Sequence, residues 1–328
     1  MGDPAHWGQG KTSAAFAVKT ATDLTSPMDY EPAKPQFARM LATQPLTHHI
    51  TAMFKRLFRK LRLRKSPALI HIVRLEGALV AGRSLRGGNL NLLTLEPVLT
   101  KAFRKGVAAV ALEINSPGGS PVQSALIANR IRALSAEHKI PVYAFCEDVA
   151  ASGGYWLACA ADEIFADENS IIGSIGVIAM GFGFPKTLQK LGVERRVHTS
   201  GESKSTNDPF KSEKPEDVAK LKAILNDMHE SFRAMVRTRR AGKLKGVEKD
   251  LFSGAYWTGT KSLELGLIDG LGHMQDTMKR KFGEKAEFKK IEAATGWGRR
   301  FGLANTSHIA EQALETIENR ALWQRFGL

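Results

Sequence analysis

The stretch Val107-Ala108-Ala109-Val110-Ala111-Leu112-Glu113-Ile114-Asn115-Ser116-Pro117-Gly118-Gly119-Ser120-Pro121 decides how this chain folds. Its first eight residues are almost unbroken apolar sequence, as expected of a strand covered on both faces. Asn115–Ser120 then breaks the run with turn formers, and Pro121 is well placed to open a helix, since its missing N–H is not needed there. Strand, glycine turn and helix in immediate succession are the elementary unit of a parallel α/β sheet.

The same grammar extends outward from this unit. Ala68–Arg74 reads as a strand and Leu93–Arg104 as an amphipathic helix, while the helix after the opening stretch runs over Pro121–Glu137. Pro141–Cys146 is a third strand, followed by a short helix over Ala150–Ala160. Glu163–Ala166, Ser174–Ala179 and Val193–His198 read as further strands, with a helix over Phe184–Leu191 between the last two. A long helix spans Pro215 to Arg239, and Val218, Leu221, Leu225, Met228, Phe232 and Met235 line one face of it as core or as a subunit contact. The expected architecture is an α/β domain with a mostly parallel sheet and a helical C-terminal part. No internal repeat is visible.

Composition sets the outer limits. The 328 residues allow one large or two ordinary domains, and 43% hydrophobic with 24% charged residues is normal for a globular protein. The two cysteines, Cys146 and Cys159, sit in apolar runs without metal-ligand spacing, and are expected as buried free thiols in a reducing compartment rather than a disulfide. Val142–Phe145 and Ile171–Phe184 are too short or too glycine-rich to span a bilayer, and the first 50 residues lack the apolar centre of a secretory signal. Met1-Gly2 is followed by His6 where a myristoylation signal has Ser or Thr. The expected location is cytoplasmic, with peripheral attachment to the inner face of the cell membrane as an addition to it.

That addition comes from charge. Residues 1–65 hold eleven Lys/Arg against four Asp/Glu, so half of the net +14 lies there, densest in Lys55–Lys65. Phe54, Leu57, Phe58 and Leu61 follow helical spacing within it, so residues 54–65 read as a solvated basic arm or as a segment lying on anionic lipid. Specific nucleic-acid binding ranks third, because no recognisable module accompanies the charge. The expected organisation is a disordered extension over 1–52, the basic segment over 53–66, the main domain over 67–295 and a C-terminal helix over 296–328. Translation starting at Met53 is a further expectation, under which 1–52 would not belong to the natural protein.

Two glycine turns are candidates for chemistry. Asn115–Ser120 can bring backbone N–H groups close to an anion, or serve as a plain tight turn. Ala150-Ala151-Ser152-Gly153-Gly154-Tyr155-Trp156 places a serine at the first turn of a helix, where it is either an N-cap or a nucleophile beside helix N-terminal amides. A nucleophilic serine needs a base. His198 ends a strand without an acidic partner at readable spacing, and His71 lies inside a strand as a structural residue. Lys204, in the polar loop Ser200–Ser205, reads by itself as a surface lysine. It becomes a base only if desolvation leaves part of it neutral.

Taken together these motifs resemble the signal peptide peptidase A family, the SohB-type S49 serine peptidases. The matching elements are Asn115–Ser120, Ala150–Trp156, Gly173–Ile178, Ser200–Lys204, Tyr256–Gly259 and Glu264–Asp269, in family order between Ala68 and Gly272. The resemblance implies a ClpP/crotonase-like fold, Ser152 as nucleophile and Lys204 as general base. It also implies an oxyanion hole from the Gly119 and Gly153 amides, and Ser174 as the hydroxyl that orients the lysine. It further implies peptide substrates such as signal-peptide remnants, no metal or organic cofactor, and ring- or dome-shaped homo-oligomers. Within these, short single-unit members take serine and lysine from neighbouring subunits. One departure stands out: members usually carry an N-terminal membrane anchor, and this sequence shows only the basic amphipathic segment near Phe54–Leu63. Two other readings stay open, a crotonase-type acyl-CoA enzyme, which would want carboxylates near the glycine turns, and a non-catalytic membrane-surface scaffold of the same fold.

Overall fold

The apolar run that opens the reading is a central strand. This computed structural model describes residues 66–82, 89–201, 203–292 and 320–327. Its strands are β1 (Leu69–Glu76), β2 (Ala78–Leu79), β3 (Asn89–Leu90), β4 (Ala109–Ser116), β5 (Val142–Ala151), β6 (Glu163–Ala166), β7 (Ile171–Gly173), β8 (Tyr256–Thr258), β9 (Gly270–Leu271) and β10 (Glu287–Lys290). The helices are α1 (Leu92–Ala102), α2 (Pro121–His138), α3 (Gly153–Ala158), α4 (Pro185–Lys190), α5 (Pro215–Arg239), α6 (Glu248–Leu251), α7 (Gly259–Glu264) and α8 (Met274–Phe282). The main sheet runs β10-β1-β4-β5-β6-β9 with every neighbour parallel, β7 continues beside the end of β5, and β8 closes that edge antiparallel. This is the mixed α/β, mostly parallel architecture expected from the sequence.

Alternation along β4 shows why both faces needed apolar residues. Val110, Leu112 and Ile114 enter the larger core with Leu95 and Leu99 of α1, Ile127 and Ile131 of α2, and Trp156 of α3. Ala109 and Ala111 face the other way, joining Ile70, Ile72, Phe145 and Phe165 under Met274 and Met278 of α8. Each fully buried Leu or Ile contributes about 1.5–3 kcal/mol relative to an exposed one. His71 falls on the larger-core face of β1, where its Nδ1 pairs with the Ala102 carbonyl at 2.8 Å. Burial lowers its pKa, and it is structural as expected.

The strand β5 runs on through Ala151, where the sequence reading ended it at Cys146. Its partner changes on the way: residues 143–146 pair with β6 and 149–151 with β7. Between them the β4–β5 register shifts, and Asn115 spans the irregularity by donating to Asp148 Oδ2 at 2.8 Å and accepting the Val149 amide at 3.2 Å. Side-chain hydrogen bonds thus replace ladder bonds that the irregularity removes.

Two expected strands are absent from the described residues. Ser174–Ala179 and Val193–His198 have no regular structure. Gly173 at φ +108° and Ser174 at φ +52° turn the chain out of the sheet after β7, which is already paired by β5 on one side and β8 on the other. The segment that follows joins no ladder among the described residues, and Ile178, Phe182 and Val193 are exposed. The long helix forms over the span expected, but only Phe232 and Val236 are buried on it, while Val218, Leu221 and Leu225 are half-covered and Met228 is exposed. Both cysteines are free and buried. The chain divides into residues 1–65 and residues 66–328. The stretches expected as an extension over 1–52, as the basic segment and as the first part of a C-terminal helix over 296–319 lie outside the described residues.

Candidate active site

Ser152 joins β5 to α3 in a conformation that side chains rarely adopt, φ +52° and ψ −120°. Its N–H donates to the Gly173 carbonyl at 2.8 Å and its carbonyl accepts the Trp156 amide at 3.0 Å, so the strain is held from both sides. The hydroxyl caps nothing and has no hydrogen-bond partner among the described residues. That argues against the N-cap reading, since a capping serine spends its oxygen on the second or third amide of the helix.

The Asn115–Ser120 turn is pressed against Ser152. A Cβ on Gly118 would lie 2.7 Å from both the Gly153 nitrogen and the Ser152 Cβ, and Gly118 sits at φ +99°. A Cβ on Gly119 would overlap the Leu79 carbonyl, and one on Gly154 the Ser116 carbonyl. Glycine is required here by close approach of two backbones, a constraint the sequence pattern did not specify. Leu79 clamps the turn, its N–H donating to the Gly118 carbonyl at 2.9 Å and its carbonyl accepting the Ser120 amide at 2.7 Å. The Ser116 hydroxyl donates to the Gly77 carbonyl at 2.7 Å, fixing the turn from the strand side. The Gly119 and Gly153 amides are left without hydrogen-bond partners among the described residues, and both glycines line the same cleft as Ser152. Two unspent N–H donors beside an unspent hydroxyl are what a developing oxyanion needs.

The cleft measures about 580 Å³. Trp156, stacked on Phe232 of α5 at 4.7 Å between ring centroids, gives it an apolar side with Val177, Ile178 and Met180. Arg239, donating to the Cys159 and Ala161 carbonyls, both at 2.8 Å, ties the end of α5 to the loop after α3. Ser174 also lines the cleft, 4% exposed, with its N–H donating to the Ala255 carbonyl at 2.7 Å. Ser152, Gly119, Gly153 and Ser174 are therefore brought together. Lys204 is not: it is exposed, and it is not among the described residues that line the cleft. His198 is exposed as well.

Carboxylates are also absent from the described lining, including Glu113, which faces a separate cavity and sits 3.6 Å from Arg74. No group of three or more potential metal ligands occurs among the described residues, and none of their helices is long and apolar enough to cross a membrane. The sequence reading missed Leu79 and Asn115 as the fasteners of the turn, and Leu322 and Arg325 as cleft residues. Asn115 carried a signal in its place at a strand end. Arg325 carried none, because only folding returns the C-terminus to Ser152.

Several known proteins are similar to this chain in sequence or in structure. The model of peptidase family S49 matches residues 135–287. A putative signal peptide peptidase SppA of Enterococcus faecium is 34% identical over 174 residues, covering 53% of this chain and 50% of that protein. A Na(+)/H(+) antiporter NhaA of Brucella melitensis is 46% identical over 302 residues, covering 88% of this chain and 41% of that protein. A solved structure of a membrane-bound stomatin-specific protease with a substrate peptide aligns over 72% of this chain and 96% of its own, at 14% identity and a TM-score of 0.44. The chain resembles peptidase family S49 over those residues, somewhat under half of its length. It spans half or less of the length of the two curated relatives named above.

Proposed function

We propose that the chain is a serine endopeptidase working by acyl transfer. The observation that carries this reading is Ser152 itself: strained, pinned at both backbone ends, its hydroxyl and two nearby amides without partners among the described residues. In this reading Ser152 Oγ attacks the scissile carbonyl while a neutral lysine amine takes its proton, and the Gly119 and Gly153 amides hold the oxyanion. The C–N bond then breaks, the ammonium returns the proton to the leaving amine, and water hydrolyses the ester.

Lys204 is the base, supplied by a second copy of the chain, and Ser174 orients its amine. Exposure of Lys204 in the single chain supports this arrangement, because a lysine needs desolvation to work as a base and only another surface can supply it. Half-covered and exposed apolar residues along α5 and the segment from Ile178 to Val193 offer such a surface. Substrates are unfolded or membrane-surface peptides, signal-peptide remnants among them. The carboxylate-free lining speaks against acyl-CoA chemistry.

The test uses casein and fluorogenic peptides. Ser152→Ala and Lys204→Ala should each abolish cleavage, and mixing the two inactive variants should restore about a quarter of the activity if subunits exchange at random. Cleavage that survives both substitutions refutes the dyad. A mixture as inactive as its components, with exchange verified, refutes the inter-chain form. Activity should also rise toward alkaline pH as the base loses its proton, and a flat profile would count against a lysine.

A further inference from the structure

Residues 320–327 return to the cleft from the far end of the chain. Phe326 is 8% exposed and packs with Val149 and Ala151, the strand residues that lead into Ser152, with Ile171 and Trp323 beside it. Its ring also meets Tyr256 edge-on, with centroids 5.2 Å apart. A helical turn over 320–324 ends in hydrogen bonds from the Phe326 amide to the Trp323 carbonyl at 2.9 Å and from Gly327 to Gln324 at 3.1 Å. With Phe326 anchored, Leu322 and Arg325, three positions apart, both border the Ser152 cleft.

Arg325 is the only charged side chain among the described residues of that lining. It pairs with no described carboxylate, and its recorded contact is with its neighbour, the Phe326 ring, 5.7 Å from the guanidinium carbon. The rest of the border is apolar or carries hydroxyls. A single uncompensated cation in such a cleft attracts negative and repels positive ligand groups.

We propose that the C-terminal segment is a fixed wall of the substrate cleft, and that Arg325 selects peptides carrying an acidic side chain close to the scissile bond. Apolar neighbours of that acidic residue would lie against Leu322, Ile178 and Met180. This inference rests on the peptidase reading for its substrate class.

Full-length protein would be assayed on peptides carrying Glu, Gln or Lys in turn at each position flanking the cleaved bond. The same peptides would be titrated by fluorescence anisotropy onto the Ser152→Ala protein. At one or two positions Glu should be preferred over Lys. Arg325→Glu should move that ratio roughly tenfold toward Lys at low salt, since an exposed pair changes affinity by about two- to five-fold and reversal counts both attraction and repulsion. Raising the salt should shrink the shift. Phe326→Ala, checked for an intact thermal transition, should erase the preference by releasing the wall. Equal Glu-to-Lys ratios in wild type and Arg325→Glu at every position, or no peptide binding at all, overturn the proposal. A preference that survives Phe326→Ala overturns the anchored wall. Charge-dependent binding together with turnover indifferent to Ser152→Ala would refute the peptidase reading alone and leave the Arg325 site standing.

Discussion

Replacing Gly118 by alanine separates backbone strain from crowding at Ser152, because Gly106 supplies a matched control. Gly118 has φ +99° and Gly106 has φ +92°, so alanine meets nearly the same penalty at either place, about 1–2 kcal/mol for a left-handed conformation. The surroundings differ. At Gly106 a new Cβ meets nothing within 4 Å, whereas at Gly118 it lies 2.7 Å from Ser152 Cβ and from the Gly153 nitrogen, and 2.9 Å from the Ala151 carbonyl oxygen. Ordinary contact begins near 3.4 Å. The turn and Ser152 must therefore separate by roughly 0.7 Å, for which overpacking adds about 1–3 kcal/mol. Urea unfolding should show Gly106→Ala destabilised by about 1–2 kcal/mol and Gly118→Ala by about 2–5 kcal/mol. A displacement of that size at a reacting atom should lower kcat/KM about 100-fold in Gly118→Ala, with no comparable loss in Gly106→Ala. Equal stability losses, or a Gly118→Ala protein with wild-type turnover, would refute the account of the two turns as one interlocked unit.

Asp269 illustrates linkage to pH. Burial alone would raise its pKa, but hydrogen bonds from Arg240, Lys243 and the Ile164 amide outweigh burial and lower it. A depressed carboxylate stabilises the fold above its unfolded pKa of about 3.9, and that contribution is lost as pH falls through the lower folded value. Asp269→Asn should cost about 3–5 kcal/mol at neutral pH, because Arg240, 2% exposed, loses the carboxylate 2.6 Å away; unfolding curves at stepwise lower pH should converge with wild type. Burial pushes both thiols up, Cys159 to about 12, so a thiol reagent at mildly alkaline pH should label neither cysteine in folded protein and both in denaturant. Stoichiometric labelling of the native state would contradict their placement. Phe232→Ala removes the ring stacked on Trp156 and should cost about 3–5 kcal/mol, read by thermal unfolding, with a raised KM for apolar peptides as the cleft side loosens.

By itself the sequence determined the strand–turn–helix units, because continuous apolar runs and glycine punctuation are local signals. Val107–Ile114 and Pro121–Glu137 could be read without any knowledge of their neighbours. It also determined the identity of the nucleophile candidate, since a serine between small residues at a strand-to-helix junction is a local pattern. Ser174–Ala179 and Val193–His198 misled for the complementary reason: apolar alternation reports that a face will be covered, not whether a sheet edge is there to cover it. Only the tertiary structure decided that β8 pairs with the free edge of β7, that Leu79 clamps the Asn115–Ser120 turn, and that Arg325 borders the same cleft as Ser152. These are contacts between segments far apart in the chain, and no spacing rule encodes them. Lys204 marks the limit of a single folded chain as well, for it is exposed there, and an exposed lysine can become a base only where another surface takes it out of water.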